Sequence, residues 1–294
     1  MLMPVILTKF FITPKKMTLH PHCCEEWMCI NGIEPVFRII KMSQGIGTKQ
    51  LLLKVARNLS RWTRDLQCKL SKALEMQDGK PLIGTVKDPE AYIRGIYWEH
   101  HFWDAHLHST IEDTLACDKD DLLVEWLGIL SNFTRDDLPA GIQWHDQLDD
   151  KKDQVVGFLN KLQGSYLDDI KLELIIWIGE LCHSKECCIW LASTGVLDII
   201  HSVFVDKQDS EMRLQILLIY ERCLLFEMTR FHIVAGDGVV DVMLDCLAGD
   251  NSLGFAAEIC LTLIEEFDCD QDGVLGKIGS SIQQKMFECF SPQQ

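Results

Sequence analysis

One phrase recurs along this chain and limits its possible folds more than any other feature. Thr194-Gly195-Val196 precedes apolar Ile199 and Ile200, and Asp237-Gly238-Val239 precedes Val242 and Met243. Asn31-Gly32-Ile33 precedes Val36, Phe37, Ile39 and Ile40. Gly195 and Gly238 stand 43 residues apart. A second phrase keeps the same beat: Glu173-Leu174-Ile175, Gln215-Ile216-Leu217 and Glu258-Ile259-Cys260 are spaced by 42 and 43 residues. Around these phrases apolar residues return every three or four positions, as one face of a helix requires, and strand-like alternation is scarce. The glycine reads as the turn that lets a short first helix reverse into a second.

A unit of this length cannot bury its apolar face alone, so successive copies must stack and share a core. The period falls in the range of HEAT and armadillo repeats. The clearest helical segments are residues 51–62, 122–133, 172–181, 214–226 and 255–267. In one of them Leu172, Leu174, Ile175, Ile176, Trp177, Ile178 and Leu181 cover most of a helix circumference, which predicts a helix sandwiched between neighbours. The expected fold is all-α, a right-handed α-solenoid of armadillo-type repeats in about four to five copies.

The beat breaks once. Asn58 and Asn132 occupy similar places in their helices but lie 74 residues apart. The excess is assigned to a long insertion near residues 68–101, marked by Lys80-Pro81 and Asp88-Pro89. Residues 1–20 are left outside the repeats as an N-terminal segment compatible with disorder, 21–290 form the solenoid, and 291–294 are a tail. Ile282 to Phe290 is expected to form a closing helix.

Composition narrows the function. The 294 residues are 47% hydrophobic, enough for a continuous core. A net charge of −16 opposes phosphate backbones and anionic membrane surfaces, so neither nucleic acid nor membrane is an expected partner. The natural electrostatic partner is a basic protein segment. No apolar run approaches the roughly 20 residues of a membrane-spanning helix. Cys182, Cys223, Cys246 and Cys260 fall inside apolar helical runs, which suits free buried thiols in a reducing cytoplasm.

Candidate chemistry is thin. Asp268, Asp270, Asp272 and Gly273 open like a calcium loop, but its twelfth position is Gly279, where a bidentate Glu is needed. No metal is therefore expected there. His100, His101, His106 and His108, and the group His20, His22, Cys23 and Cys24, lack the paired spacing of zinc ligands. His106 and His108 should point to different sides of a helix. Cys182, His183, Cys187 and Cys188 read as helix core. Gly45-Ile46-Gly47-Thr48-Lys49 lacks the spacing of a phosphate-binding loop and reads as a flexible lead-in to the next helix. No nucleophile elbow, zinc-protease helix or kinase signature occurs. The expectation is a non-enzyme without cofactors.

Several segments nevertheless resemble one family. Leu51-Leu52-Leu53-Lys54-Val55-Ala56-Arg57-Asn58-Leu59-Ser60 is similar to a helix of the kinesin-associated proteins, non-motor subunits of heterotrimeric kinesin-2. Leu123 to Thr134 with Asp137-Leu138-Pro139, Glu173 to Gly179, and Glu265-Glu266-Phe267-Asp268 look like later segments of the same family, in order. The similarity runs from about Cys23 to Phe290, and members of that family are longer, so the chain is expected to correspond to their C-terminal repeats. The resemblance implies an armadillo scaffold that binds kinesin-2 motor subunits through their tails and links them to cargo or transport-train proteins. It also implies a place in the cytoplasm, on the cytoskeleton and in cilia, including intraflagellar transport. A generic armadillo adaptor unrelated to motors is the alternative.

Peptide-binding armadillo proteins such as importin-alpha clamp an extended peptide with a regular asparagine on each third helix. The aligned positions here are Asn58, Asn132, Glu180, Arg222 and Glu265, the candidate binding residues. The asparagine ladder stops after two steps, which disfavours a nuclear-import receptor. The acidic replacements suit basic or helical segments.

Overall fold

The computed structural model describes residues 23–24, 33–75, 106–132, 144–164, 167–207, 209–247 and 251–266. The chain divides into two compact units, Met1–Gln143 and Trp144–Gln294. Among the described residues every regular element is a helix. No helix among them is long and apolar enough to cross a membrane by itself.

The first unit contains α1 (Ile33–Met42), α2 (Ile46–Glu75), α3 (106–115) and α4 (Asp120–Leu130). The long helix α2 lies against both α1 and α4. Its buried face is Leu52, Leu53, Val55, Ala56 and Leu59, which meets Val36, Phe37 and Ile40 of α1 and the Trp126-Leu127 face of α4. Phe37 and Trp126 bring their rings within 6.3 Å. His106 of α3 lies 2.5 Å from the Glu34 carboxylate, whereas His108 is exposed and pairs with Glu112 one turn along its own helix. The two histidines thus point apart, as their spacing predicts.

Two boundaries differ from the sequence expectation. Helix α2 continues to Glu75, so residues 68–75 belong to a helix and not to the expected insertion. The reason is local: from Arg61 to Glu75 the chain has neither Gly nor Pro and is rich in Arg, Lys, Leu, Gln and Ala, which all favour helix. The remainder of the expected insertion, to residue 101, lies outside the described residues, as do residues 1–20, Gly32 and Ile282 to Phe290. Gly47, Thr48 and Lys49 form the first turn of α2, not a flexible lead-in.

The second unit contains α5 (Trp144–Leu148), α6 (Lys152–Leu159), α7 (Asp168–Leu181), α8 (Lys185–Ser193), α9 (Val196–Asp206), α10 (Ser210–Leu224), α11 (Glu227–Val234), α12 (Val239–Cys246) and α13 (Asn251–Glu266). Two triplets are plain here, α8–α9–α10 and α11–α12–α13, each short, short and long. Gly195 and Gly238 sit between the first and second helices of their triplets at φ 77° and 71°. This left-handed backbone costs residues with a Cβ about 1–2 kcal/mol, which explains the glycine in the recurring phrase. Capping residues start other helices: the Ser184 hydroxyl accepts from the Cys187 N–H, and the Asp209 carboxylate accepts from the Met212 N–H at 2.8 Å.

The long helices stack, with α10 against both α7 and α13. Helix α10 buries Met212, Ile216, Leu217, Ile219, Tyr220, Cys223 and Leu224, residues from more than one face. Contacts between successive long helices fall at the repeat spacing. Arg222 meets Gly179 and Cys260 meets Leu217, each 43 residues apart, while Cys223 meets Cys182 at a separation of 41. The aromatic core is Trp144, Phe158 and Trp177 at one side of the unit, and Phe204 edge-on to Tyr220 at 5.3 Å farther along.

One polar residue joins three elements of this core. His201 of α9 places Nδ1 at 2.7 Å from the Tyr220 hydroxyl of α10 and Nε2 at 3.1 Å from the His232 carbonyl of α11. A neutral ring satisfies both: Nε2–H donates to the carbonyl and Nδ1 accepts from the tyrosine. Burial holds the His201 pKa below its ordinary value. The unfolded chain therefore takes up a proton that the folded one refuses. Stability should be fully present above about pH 6.5 and decline as pH falls below it. Urea titrations between pH 7.5 and 5.5 test this: the decline should shrink in His201→Gln. The turn glycines give a second expectation. Gly238→Ala should lower stability by about 1–2 kcal/mol in the same assay, with no loss of helical circular dichroism before the transition.

Candidate functional site

The candidate binding residues lie on or just past the long third helices, and each unit holds its own set. In the first unit α2 carries Lys54 and Arg57 three residues apart, on the side turned to α4. Glu125 of α4 is 6% exposed and lies 3.6 Å from the Lys54 ammonium and 3.7 Å from the Arg57 guanidinium. A carboxylate so far from water needs this double cationic partner. On its way to Glu125 the Arg57 side chain passes over Gly128. A Cβ there would fall on Nε and Cζ of Arg57.

Asn132 follows the end of α4 and turns back onto α2. Its amide nitrogen donates to the Arg57 carbonyl at 3.1 Å and to the Ser60 hydroxyl at 2.9 Å. Ser60 in turn donates to the Arg57 carbonyl. The two residues met by Asn132 flank Asn58, which is half-buried on α2. Asn132 is 9% exposed, so its amide hydrogens serve the seam between two third helices.

The second unit repeats the device with other residues. Arg222 of α10 is half-buried, and its guanidinium donates to the Gly179 carbonyl of α7. Gly179 lies close under Arg222 and Ile219, leaving ordinary contact room for a Cβ and little more. Glu180, next in sequence, is 3% exposed and faces His183 at 3.5 Å. Glu265 belongs to α13, and its side chain lies outside the described residues. The structure thus joins Asn132 to the Asn58 neighbourhood in one unit and Arg222 to the Glu180 neighbourhood in the other. In both units an arginine from one long helix lies over a glycine of the adjacent long helix.

Sequence reasoning missed an exposed apolar row in the second unit. Leu225, Met228 and Phe231 recur at three-residue spacing and are 54%, 66% and 69% exposed. The cause is that α11 turns a partly polar face inward. The Thr229 hydroxyl donates to the Cys223 carbonyl at 2.5 Å, and the Arg230 Nε donates to the Leu224 carbonyl at 3.1 Å. Both satisfy carbonyls left open at the end of α10. Met228 and Phe231 at three-residue spacing, with Thr229-Arg230 between them, were the available signal. Solvent-facing apolar rows of this kind suit association.

The remaining candidates resolve simply where they are described. Cys187 and Cys188 are buried free thiols in a helix, as expected; Cys182 is equally buried but caps α7, and His183 is half-exposed in the turn that follows, so it is not helix core. Burial raises the Cys187 thiol to about 12 and the Cys24 thiol to about 11. The calcium-like run Asp268, Asp270 and Asp272 lies outside the described residues, as do His20, His22, His100 and His101. The seam is open to test. Asn132→Ala removes two hydrogen bonds and should cost about 1–3 kcal/mol in urea unfolding. Gly128→Ala should displace the Arg57 guanidinium and lower stability in the same assay, and the same change should cost less when Arg57→Ala is already in place.

Comparison with known proteins gives this architecture a context. The KAP, or kinesin-associated protein, family matches residues 103–274, more than half of the chain and less than the Cys23 to Phe290 stretch expected. Among solved structures, a designed armadillo repeat protein, YIII(Dq)4CqI, is similar at TM-score 0.58 and 8% identity, covering 86% of this chain and 92% of its own. A second, solved in complex with the peptide (KR)4, has TM-score 0.59 at 8% identity, covering 86% of this chain and 91% of its own. Computationally designed armadillo proteins for modular peptide recognition match at TM-score 0.55 and 8% identity, over 85% and 91%. Identity this low speaks to fold, and the fold is the armadillo-repeat solenoid. The family match adds what fold alone cannot: the chain belongs to the kinesin-associated protein family.

Proposed function

We propose that this chain is an adaptor that binds the tail region of kinesin-2 motor subunits and links them to cargo, including transport trains in cilia. Armadillo repeats and the kinesin-associated family are non-enzymatic, protein-binding kinds of scaffold. The observation that carries the finer reading is the family match, which spans α3 through α13. Charge supports the class of partner. At −16 the chain attracts basic segments, and one structural neighbour holds the basic peptide (KR)4. Motor contact is assigned to the third-helix positions, with half-buried Asn58 and Arg222 facing the partner and Glu265 beside the partner's basic residues. Asn132 and Glu180 support them from within the stack. A cytoplasmic, cytoskeleton-associated place follows from the family, and a ciliary one is part of the proposal.

A pull-down with purified kinesin-2 tail segments tests the reading. The chain should retain a tail at low salt and release it progressively as ionic strength rises, because the attraction is screened beyond about 8 Å at physiological salt. Glu265→Lys, which puts a cation at an acidic contact position, should weaken retention. Equal indifference to every tail segment at low salt would leave a general armadillo adaptor as the better description.

A further inference from the structure

The core of the second unit contains a cluster that the scaffold reading does not use. Cys182 ends α7, Cys188 lies in α8 and Cys223 lies in α10. All three thiols are free and buried, and their Sγ atoms lie within 4.8 Å of one another. The Cys182 and Cys223 sulfurs are 3.9 Å apart. Sulfurs around a thiolate-bound zinc at about 2.3 Å stand roughly 4 Å from each other, so the cluster is near that spacing before any metal arrives.

We propose that Cys182, Cys188 and Cys223 form a tris-thiolate site for a divalent thiophilic d10 cation, zinc in the cell and cadmium as its probe. Three thiolates select a soft ion over magnesium or calcium. Charge also favours a divalent one. Three thiolates around M2+ leave one negative charge, and the Arg222 guanidinium on the adjacent residue of α10 balances it. A fourth ligand is at hand in the Cys182 carbonyl oxygen, 3.1 Å from the Cys188 sulfur. Binding forms three metal–sulfur bonds, breaks three S–H bonds and releases three protons to solvent. A bound ion would tie the end of α7 to the next triplet and stiffen the seam that carries Arg222.

Cadmium titration of the full, reduced chain tests the site through thiolate-to-metal charge-transfer absorbance, with glutathione as competitor. One equivalent should bind against excess glutathione and raise the melting temperature. Cys188→Ser and Cys223→Ser should lose that equivalent, a larger effect than the roughly 10–100-fold that outer-shell changes cost. Far-UV circular dichroism reports whether each variant folds. If a variant does not, X-ray absorption on the one-equivalent wild-type complex decides, with three sulfurs expected around the ion. Wild-type uptake no tighter than that of folded variants, or fewer than three sulfurs, overturns the site.

Discussion

The structure depends on apolar surface shared between successive long helices. In the second unit α10 has no solvent-facing apolar stripe to spare: it gives Tyr220, Ile216 and Cys223 to its neighbours on one side and another and is covered by α7 and α13. A side chain of this size, fully buried, contributes about 1.5–3 kcal/mol. The short helices could not persist without it. At 8 to 11 residues, α8, α9, α11 and α12 are below the length at which helices are stable alone. Helices α9 and α12 are held by the long helices of their own triplets, α10 and α13, whereas α11 packs on α10 of the preceding triplet and α8 on α9.

Polar groups then choose how the long helices meet. Apolar burial is tolerant of small slides, whereas a hydrogen bond or a guanidinium over a glycine is not. Asn132 on Ser60 and Arg57, Glu125 between Lys54 and Arg57, and Arg222 on the Gly179 carbonyl each accept a single register. Arg222 is itself assigned to the partner, and the contacts of Asn132 flank Asn58, which is assigned to it as well. A scaffold built this way gains a fixed spacing between partner-facing side chains from the same contacts that hold its own repeats together.

Much of this was legible in the chain. The recurring glycine phrase predicted a turn, and both described copies adopt the left-handed backbone that only glycine takes at low cost. The 42–43-residue beat reappears as contacts at separations of 41 and 43. The continuation of α2 past residue 68 was legible in Leu59, Trp62, Leu66, Leu70 and Leu74, which recur at three- and four-residue spacing; it was missed because Lys80-Pro81 and Asp88-Pro89 drew the boundary of the insertion back too far. The inverted face of α11 was missed for a different reason. Thr229 and Arg230 are buried by the carbonyls they serve, a tertiary demand that hydropathy does not record. The ladder positions were found by alignment, but their burial was not, since Asn132 and Glu180 look like surface residues until the neighbouring helix is in place.

The family places the chain among scaffolds, and the third-helix seams give that role a physical basis. Within each unit, side chains fixed by packed long helices meet a partner segment already ordered, which lowers the ordering cost of binding. The central claim is that α10 is the most deeply supported element of its unit. Native-state amide exchange reads this directly. The account predicts that amides of Ile216 to Cys223 exchange slowest in the second unit, by global unfolding, while those of α11 open locally and earlier. Exchange of α10 as fast as α11 would mean that the long helices do not share a common core.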